Sequence, residues 1–490
     1  MAHLPGTWTR HGWLLGLGVI LVVLGAKLGL IDRYGTDQPY ADQWAVEGVG
    51  FVRAPMYFDA GWGSYFSLHG EHRPALTRFW VKNLIWLNDG QWDCQVELVA
   101  NLAIFGALFA GLWTLARRVT GGAGQLVAAV GMAALFALPG AYENVLWGFQ
   151  SCFLFLLLCG LVHVGGTLCT DRPGWAWVGA QVAGLAGLFS ISAGVMSAAT
   201  LVALAAWESW RGRRDAWVLA TLAVNAVLLA AGLWMLPDGA VAPAHRGMSL
   251  LEAIHRTGYL LAWPGGDGWW GWLLQAPWAG LAIGWIVGRA RDECDRIVVV
   301  TGVWIVLLAF AIAYGRAITP ATIGVRYHDV MLVGLFVNLL ALIRLIARPS
   351  AWARWAWSAL ALAWLAAVGS GLWEYNKPGM LRPLLEFQRS LALEQARVVR
   401  AFMVSNNVAE LTEYAGRSGR FPHLKITIEL LQDERVYPYL PPSLARGGAS
   451  GRLSQVIPGL TAGWSFLVGA GVVLLLAGIA GRWLVRPAPT

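Results

Sequence analysis

Three short stretches hold most of the polar side chains that could do chemistry in this 490-residue chain. The first reads Asp32-Arg33-Tyr34-Gly35-Thr36-Asp37-Gln38-Pro39-Tyr40-Ala41-Asp42-Gln43-Trp44, with Glu71-His72-Arg73 further on. A carboxylate here could take a proton from an attacking hydroxyl. Asp42, set in an aromatic loop beside Trp44, is the first choice, with Asp37 and Glu71 as alternatives. An Asp near Pro also forms turns, and Glu71-His72-Arg73 also reads as a local salt-bridged turn. The second stretch is Tyr142-Glu143-Asn144-Val145-Leu146-Trp147-Gly148-Phe149-Gln150. Glu143, Trp147 and Gln150 read as a substrate-binding rim, although an acid at a helix start also suits the helix dipole. The third stretch carries Arg316 and then Arg326-Tyr327-His328-Asp329. An arginine can bind phosphate through two parallel hydrogen bonds. Arg326 could equally pair with Asp329. Arg246, His255 and Arg256 are weaker candidates for the same work.

Asp37, Asp42, Glu71 and His72 include ligand types for a metal, but their spacing is not diagnostic. A divalent cation stays open and no metal ligand is assigned. The five cysteines form no CxxC pair and no zinc spacing.

The elements that position these stretches are apolar. Hydrophobic residues make up 57% and charged residues 13%, about half the share in soluble domains. Mean hydropathy is +0.55. A soluble multi-domain enzyme and a disordered chain are excluded. Twelve apolar stretches approach the ~20 residues a helix needs to cross a bilayer. They lie near 12–31, 97–116, 123–139, 150–168, 175–190, 192–208, 216–235, 271–289, 297–315, 329–346, 354–372 and 461–481. The weakest pair is 175–190 and 192–208, joined at Ser190-Ile191-Ser192. The expected fold is an all-α polytopic membrane protein of about twelve transmembrane helices. The basic start (Arg10, His11) and the long apolar run after it favour a retained first span over a cleaved signal peptide.

Arginines set the expected orientation. Arg117 and Arg118, Arg172, Arg211, Arg213 and Arg214, Arg289, Arg291 and Arg296, Arg344, Arg348 and Arg354, and Arg482 and Arg486 follow alternate spans. The positive-inside bias makes those loops and both termini cytoplasmic. It also accounts for the net charge of +8 without nucleic acid. The three polar stretches then face the opposite side. The expected layout is a membrane core over 1–372 that includes the first outer loop 32–96, an extracytoplasmic helical cap over 373–460, and a last span and tail over 461–490. Apolar positions at helical spacing predict an amphipathic helix over Met380–Ser405 and a second over 422–433. Aromatic stretches of the first outer loop are expected to lie in the membrane interface.

Within the spans, Lys27 is expected to snorkel. His163, Gln181, Asn225 and Asn338 are expected to bond between helices. Carboxylates are essentially missing at mid-depth, which counts against a proton-coupled transporter.

A single first span, a long outer loop with Tyr40-Ala41-Asp42-Gln43-Trp44, many further spans and an extracytoplasmic C-terminal part together resemble the GT-C superfamily of integral-membrane glycosyltransferases. Asp42-Gln43-Trp44, Glu71-His72-Arg73 and Trp147-Gly148-Phe149-Gln150 are similar to short segments of its uncharacterised bacterial members. Arg326-Tyr327 is similar to an R-Y element near an outer helix start. Many members carry two adjacent acids where this chain has Asp42-Gln43, which concentrates the catalytic role on Asp42. The resemblance implies a polyprenyl-phosphate-linked sugar donor, a glycan, lipid or protein acceptor, and transfer on the extracytoplasmic face of a bacterial inner membrane, in cell-envelope assembly. Asp42 would then act as base. His72, Arg73, Glu143, Trp147, Gln150, Arg316, Arg326, Tyr327 and His328 would bind substrate, with Arg326 first for the phosphate. A transporter or flippase, a non-catalytic envelope scaffold, and a polymerase or ligase of lipid-linked glycans are the competing readings.

Overall fold

The computed structural model describes residues 10–57, 61–237, 248–266, 268–288, 292–316, 318–319, 323–348, 350–446 and 450–484. Arg246, Arg289, Arg291 and Arg486 lie outside the described residues. Among the described residues the only β pairing is an isolated bridge between His69 and His72, and helices account for the architecture. Eight helices are long and apolar enough to cross a membrane: Gly12–Tyr34, Cys94–Val119, Gly148–Leu168, Ala216–Trp234, Glu293–Arg316, Val325–Ile346, Trp352–Tyr375 and Trp464–Gly481. The chain is an all-α polytopic membrane protein.

The other four expected spans are helical but short. Gly122–Phe136 has 15 residues, Trp175–Gly187 has 13 and Val195–Trp210 has 16. The 271–289 stretch breaks into Gly268–Leu274 and the 12-residue Ala276–Val287, with Pro277 in the first turn of the second piece. At a rise of 1.5 Å per residue these pieces cover about 10–24 Å each, less than the ~30 Å of a hydrocarbon core. Polar caps define several ends. Asp93 accepts from the Gln95 N–H and Asp215 from the Val218 N–H, supplying the acceptors that helix starts lack.

The first helix packs along the last, and small residues make this possible. A Cβ on Gly18 would lie 2.8 Å from the Gly471 carbonyl, and one on Gly25 would lie 2.8 Å from Val468. The expected interhelical hydrogen bonds are present. His163 bonds Ser197 (2.9 Å) and Gln181 (3.2 Å), Asn225 donates to Gln181 (3.0 Å), and Asn338 donates to Gln275 (2.7 Å). Lys27 departs from expectation. It is 4% exposed and turns inward, its ammonium 4.3 Å from the Phe105 ring centroid.

At one end of the bundle Arg344 pairs with Asp292 and with Asp295 (2.7 Å), and it also reaches the Val119 carbonyl (3.3 Å). This arginine-rich end is opposite Cys94, where the Cys94–Val119 helix begins beneath the first loop. The first loop is more structured than a set of interfacial stretches. It holds a wide (π-type) helix Trp44–Arg53 and an α-helix Ala75–Leu87. The predicted amphipathic helix appears as Pro378–Ser405 and the second as Leu424–Leu431, with Val408–Ser418 added between them. Loop and cap share one apolar core, in which Trp44, Phe51 and Trp92 meet Val399, Phe402 and Leu430.

Replacing Gly18 or Gly471 by Leu should separate the first and last helices. Overpacking of this kind costs roughly 1–3 kcal/mol, so thermal unfolding in nanodiscs should show a lower midpoint for each variant. An unchanged midpoint would contradict the close packing.

Candidate functional site

Asp42 follows Ala41, whose φ of +48° places it in the left-handed region that side chains rarely adopt. The Ala41 N–H donates to the Arg420 carbonyl (3.2 Å), so the cap holds this bend. Asp42 Oδ2 lies 3.4 Å from His69 Nε2, and Oδ1 lies 3.7 Å from His423 Nε2. The hydrogen bond from His69 holds the carboxyl below the usual carboxylate range, outweighing its partial burial. His69 reaches Asp42 from a reverse turn. His69 N–H donates to the His72 carbonyl (2.8 Å), His72 N–H donates back (3.0 Å), and Gly70 takes φ +56° between them.

The same turn aims Glu71 and His72 the other way. Glu71 forms an ion pair with Arg316, and its Oε1 is 3.3 Å from His72 Nε2. Arg316 Nη2 is 3.1 Å from the same ring nitrogen. His72 Nδ1 accepts the Ser192 N–H (3.3 Å) and stands 3.0 Å from the Ser192 hydroxyl. Burial pushes the His72 imidazole down to about 4, and Arg316 adds to the effect. Arg316 is thus engaged by Glu71 rather than free for phosphate. Arg73 donates to the Phe66 carbonyl (2.9 Å) and braces the loop.

Arg326 differs from these arginines. Its backbone N–H donates to Glu143 Oε2 (3.1 Å) and its carbonyl accepts from Asn144 (2.8 Å), which fixes the main chain. Its guanidinium lies 5.3 Å from the Tyr327 ring and has no carboxylate within 4 Å among the described residues. The expected alternative, pairing with Asp329, does not occur. Asp329 instead accepts from Asn144 (2.8 Å). The charge of Arg326 acts on Asp42, Tyr40, Glu143 and His72, so it lies near the centre of the constellation. Burial raises the Glu143 carboxyl, and Arg326 offsets part of that rise.

Beside these groups is an open pocket of about 640 Å³, walled by Tyr40, Tyr142, Glu143, Trp147, Arg389 and Arg420. Trp147 packs edge-on against Tyr40 at 4.8 Å. The Trp147 indole N–H and Gln38 Oε1, both of wall residues, are buried without a hydrogen-bond partner among the described residues. Arg420 stacks on Tyr40 (4.6 Å) and donates to Gln395 (2.7 Å).

Several predicted residues lie in the frame around this site. Asp37 accepts from the Ser443 N–H (2.7 Å) and hydroxyl (3.0 Å), pinning the first loop to the cap. His328 donates through Nδ1 to the Gly140 carbonyl (2.8 Å) and stacks on Trp263 at 4.5 Å, fully enclosed. Tyr327 is buried against Phe153. Gln150 is buried, and its Oε1 has no hydrogen-bond partner among the described residues.

Five participants escaped the sequence reading: His69, His423 and Arg420 around Asp42, and Glu47 with Glu97 below it. Gln43 Nε2 donates to Glu47 Oε2 (3.0 Å) and Glu97 Oε2 (2.9 Å). Trp92 Nε1 lies 3.0 Å from Glu47 and 3.2 Å from Glu97. Both carboxyls are almost fully buried. Three N–H hydrogens cannot serve four carboxylate oxygens, and Glu47 Oε1 is left without a partner. Two such acids cannot both ionise, so the pair holds a shared proton. Gly148 belongs to this cluster, because a Cβ there would collide with Glu97. A Glu at the start of an apolar helix was the one sequence signal for the pair. Glu47, Cys94 and Glu97 offer ligand atoms within 4.8 Å of one another. Among the described residues that grouping, rather than Asp37, Asp42, Glu71 and His72, has the spacing to hold a cation. Compared with protein-family models and with curated protein sequences, the chain gives no match.

Burial raises Glu47 from 4.5 to about 7. A raised carboxyl binds more protons folded than unfolded, so its stabilising effect is complete below pH 4.5 and is lost as pH rises through about 7. Melting temperature of the wild type should fall across that window, and Glu47→Gln should flatten the dependence. A Glu47→Gln profile as steep as wild type would contradict the shared proton.

Proposed function

We propose that the chain is a membrane glycosyltransferase that moves a sugar from a polyprenyl-phosphate donor to an acceptor hydroxyl. The reading includes about twelve transmembrane helices, cytoplasmic termini, a bacterial inner membrane and an extracytoplasmic site. One observation carries it: an ionised Asp42 carboxylate and the carboxylate-free Arg326 guanidinium act on one another at the end of an apolar helix bundle. One group suits proton acceptance and the other suits phosphate.

The chemistry balances with these residues. The acceptor oxygen attacks the anomeric carbon and its proton passes to Asp42. The bond from that carbon to the phosphate oxygen breaks, and the phosphate keeps the electron pair. Arg326 stabilises the growing negative charge. Attack opposite the leaving group inverts the anomeric centre. His69 and His423 orient the base and keep it ionised. Tyr40 and Trp147 offer ring faces to a sugar, and Glu143 and Arg420 offer polar contacts to its hydroxyls. Glu71 and His72, on the same turn as His69, form a linked unit with Arg316.

The test uses purified protein in nanodiscs with a panel of radiolabelled polyprenyl-phosphate sugars. Asp42→Asn should bind donor yet lose roughly 10²–10⁴-fold in turnover, the usual worth of a positioned base. Arg326→Ala should lose donor binding. If no donor binds the wild type, the reading fails. A second measurement addresses His69. Because His69 depresses Asp42, the acid limb of the wild-type rate profile should lie below the ordinary carboxylate range, and His69→Ala should move it to higher pH. An unmoved limb would remove Asp42 or His69 from that role.

A further inference from the structure

An open groove of about 780 Å³ lies against the two histidines that hold Asp42. It shares no wall residue with the pocket of Tyr40 and Trp147. Its apolar walls are Val49 and Phe51 of the wide helix Trp44–Arg53, Leu68 just before His69, and Ile426 of Leu424–Leu431. Gly50 leaves room there, since a Cβ on it would meet nothing within 4 Å. His69 and His423 line the groove, and each lies against a different oxygen of Asp42. Arg78, on the helix Ala75–Leu87, lines it as well. Arg78 is 5% exposed and has no carboxylate within 4 Å among the described residues. Its Nη1 donates to the Tyr65 carbonyl (3.0 Å) and the Ser67 carbonyl (2.5 Å). A guanidinium has five N–H hydrogens, so those on Nε and Nη2 are left over. Both nitrogens keep accessible surface, and the groove is the opening that Arg78 lines. Burial pushes the guanidinium down to about 10, and no neighbouring charge acts to restore it. Asp42 in particular is not its counter-ion.

We propose that this groove binds the acceptor, and that the acceptor carries a carboxylate or phosphate held by Arg78. Its apolar portion lies against Val49, Phe51 and Ile426, and its hydroxyl is presented to Asp42. Three features define the ligand. The free edge of Arg78 selects an anion with two oxygens to accept parallel hydrogen bonds. The walls select an apolar portion beside it. Contact of His69 and His423 with Asp42 brings one end of the groove to the base, where a hydroxyl must come within hydrogen-bond reach. The role as acceptor side rests on the transferase reading, whereas the anion site stands on the groove and Arg78 alone.

The test is isothermal titration of the full chain in nanodiscs with hexyl glucuronide, hexyl phosphate and hexyl glucoside. Each anion should bind roughly tenfold or more tightly than the uncharged glucoside, the worth of one hydrogen bond to a charged group. A preference for the glucuronide identifies a carboxylate and a preference for hexyl phosphate a phosphate; either supports the site. Arg78→Gln should remove the preference, Arg78→Lys should retain it, and Gly50→Phe should weaken all three probes by filling the groove. Equal binding of charged and uncharged probes overturns the proposal, as does a preference that survives Arg78→Gln. Because Arg78 braces Tyr65 and Ser67, Arg78→Gln could unfold the loop; Gly50→Phe then decides, and unchanged binding there overturns the site. Donor assays separate this proposal from the transferase reading. Arg78→Gln should bind polyprenyl-phosphate sugar as wild type does, and wild type should transfer label to hexyl glucuronide in preference to hexyl glucoside. Bound donor with equal transfer to both, or with none, overturns the acceptor role. A wild type that binds no donor defeats the transferase reading and the acceptor role with it, while the titrations still decide the anion site.

Discussion

Gln43 and Trp92 share their hydrogens between two buried carboxyls, and the loop-and-cap end of the molecule depends on that arrangement. Glu47 comes from the first loop and Glu97 from the second long helix, so the shared proton and donors tie the loop to the bundle. Asp42 is the residue immediately before Gln43, and its position follows from this anchor. Removing one donor while the acids stay buried would leave a carboxyl oxygen unsatisfied, at a cost of about 1–3 kcal/mol, more than a typical surface ion pair provides. The Asp37–Ser443 bonds and the common core of loop and cap add a second tether from above.

The site uses charge unevenly. Glu71 and Arg316 neutralise each other, and His72 is kept neutral between them. Asp42 is held ionised by His69. Arg326 is left over, its main chain fixed by Glu143 and Asn144 while its guanidinium faces the constellation. A site prepared for a phosphate needs that surplus, because an arginine already paired with a carboxylate would have to be desolvated and released first.

The apolar segments and most of the polar candidates were legible in the chain. Each of the twelve apolar stretches is helical, and the amphipathic helix before Ser405 begins at Pro378. Four stretches form shorter helices than the eight of membrane-crossing length. Hydropathy counts apolar residues but not where Pro277 or the Leu188–Ile191 turn ends a helix. Among the candidates, Asp42, Glu71, His72, Glu143, Arg316 and Arg326 are brought into one constellation. Asp37 and His328 are consumed by structural bonds to Ser443 and Gly140, partners that no local pattern reveals.

What the chain determined by itself was set by contiguous residues: apolar runs that must bury their backbone as helices in lipid, and polar clusters that cannot enter it. Tertiary structure decided which charges cancel and which remain. His423 lies 381 positions from Asp42 and Ser443 lies 406 from Asp37, so neither pairing has a sequence period to announce it. Lys27 turned inward because Phe105 lies on that side of its helix, a fact of packing and not of hydropathy. Local sequence specifies helices through short-range hydrogen bonds, whereas the residual charge at a site is a sum over neighbours that only the assembled fold supplies.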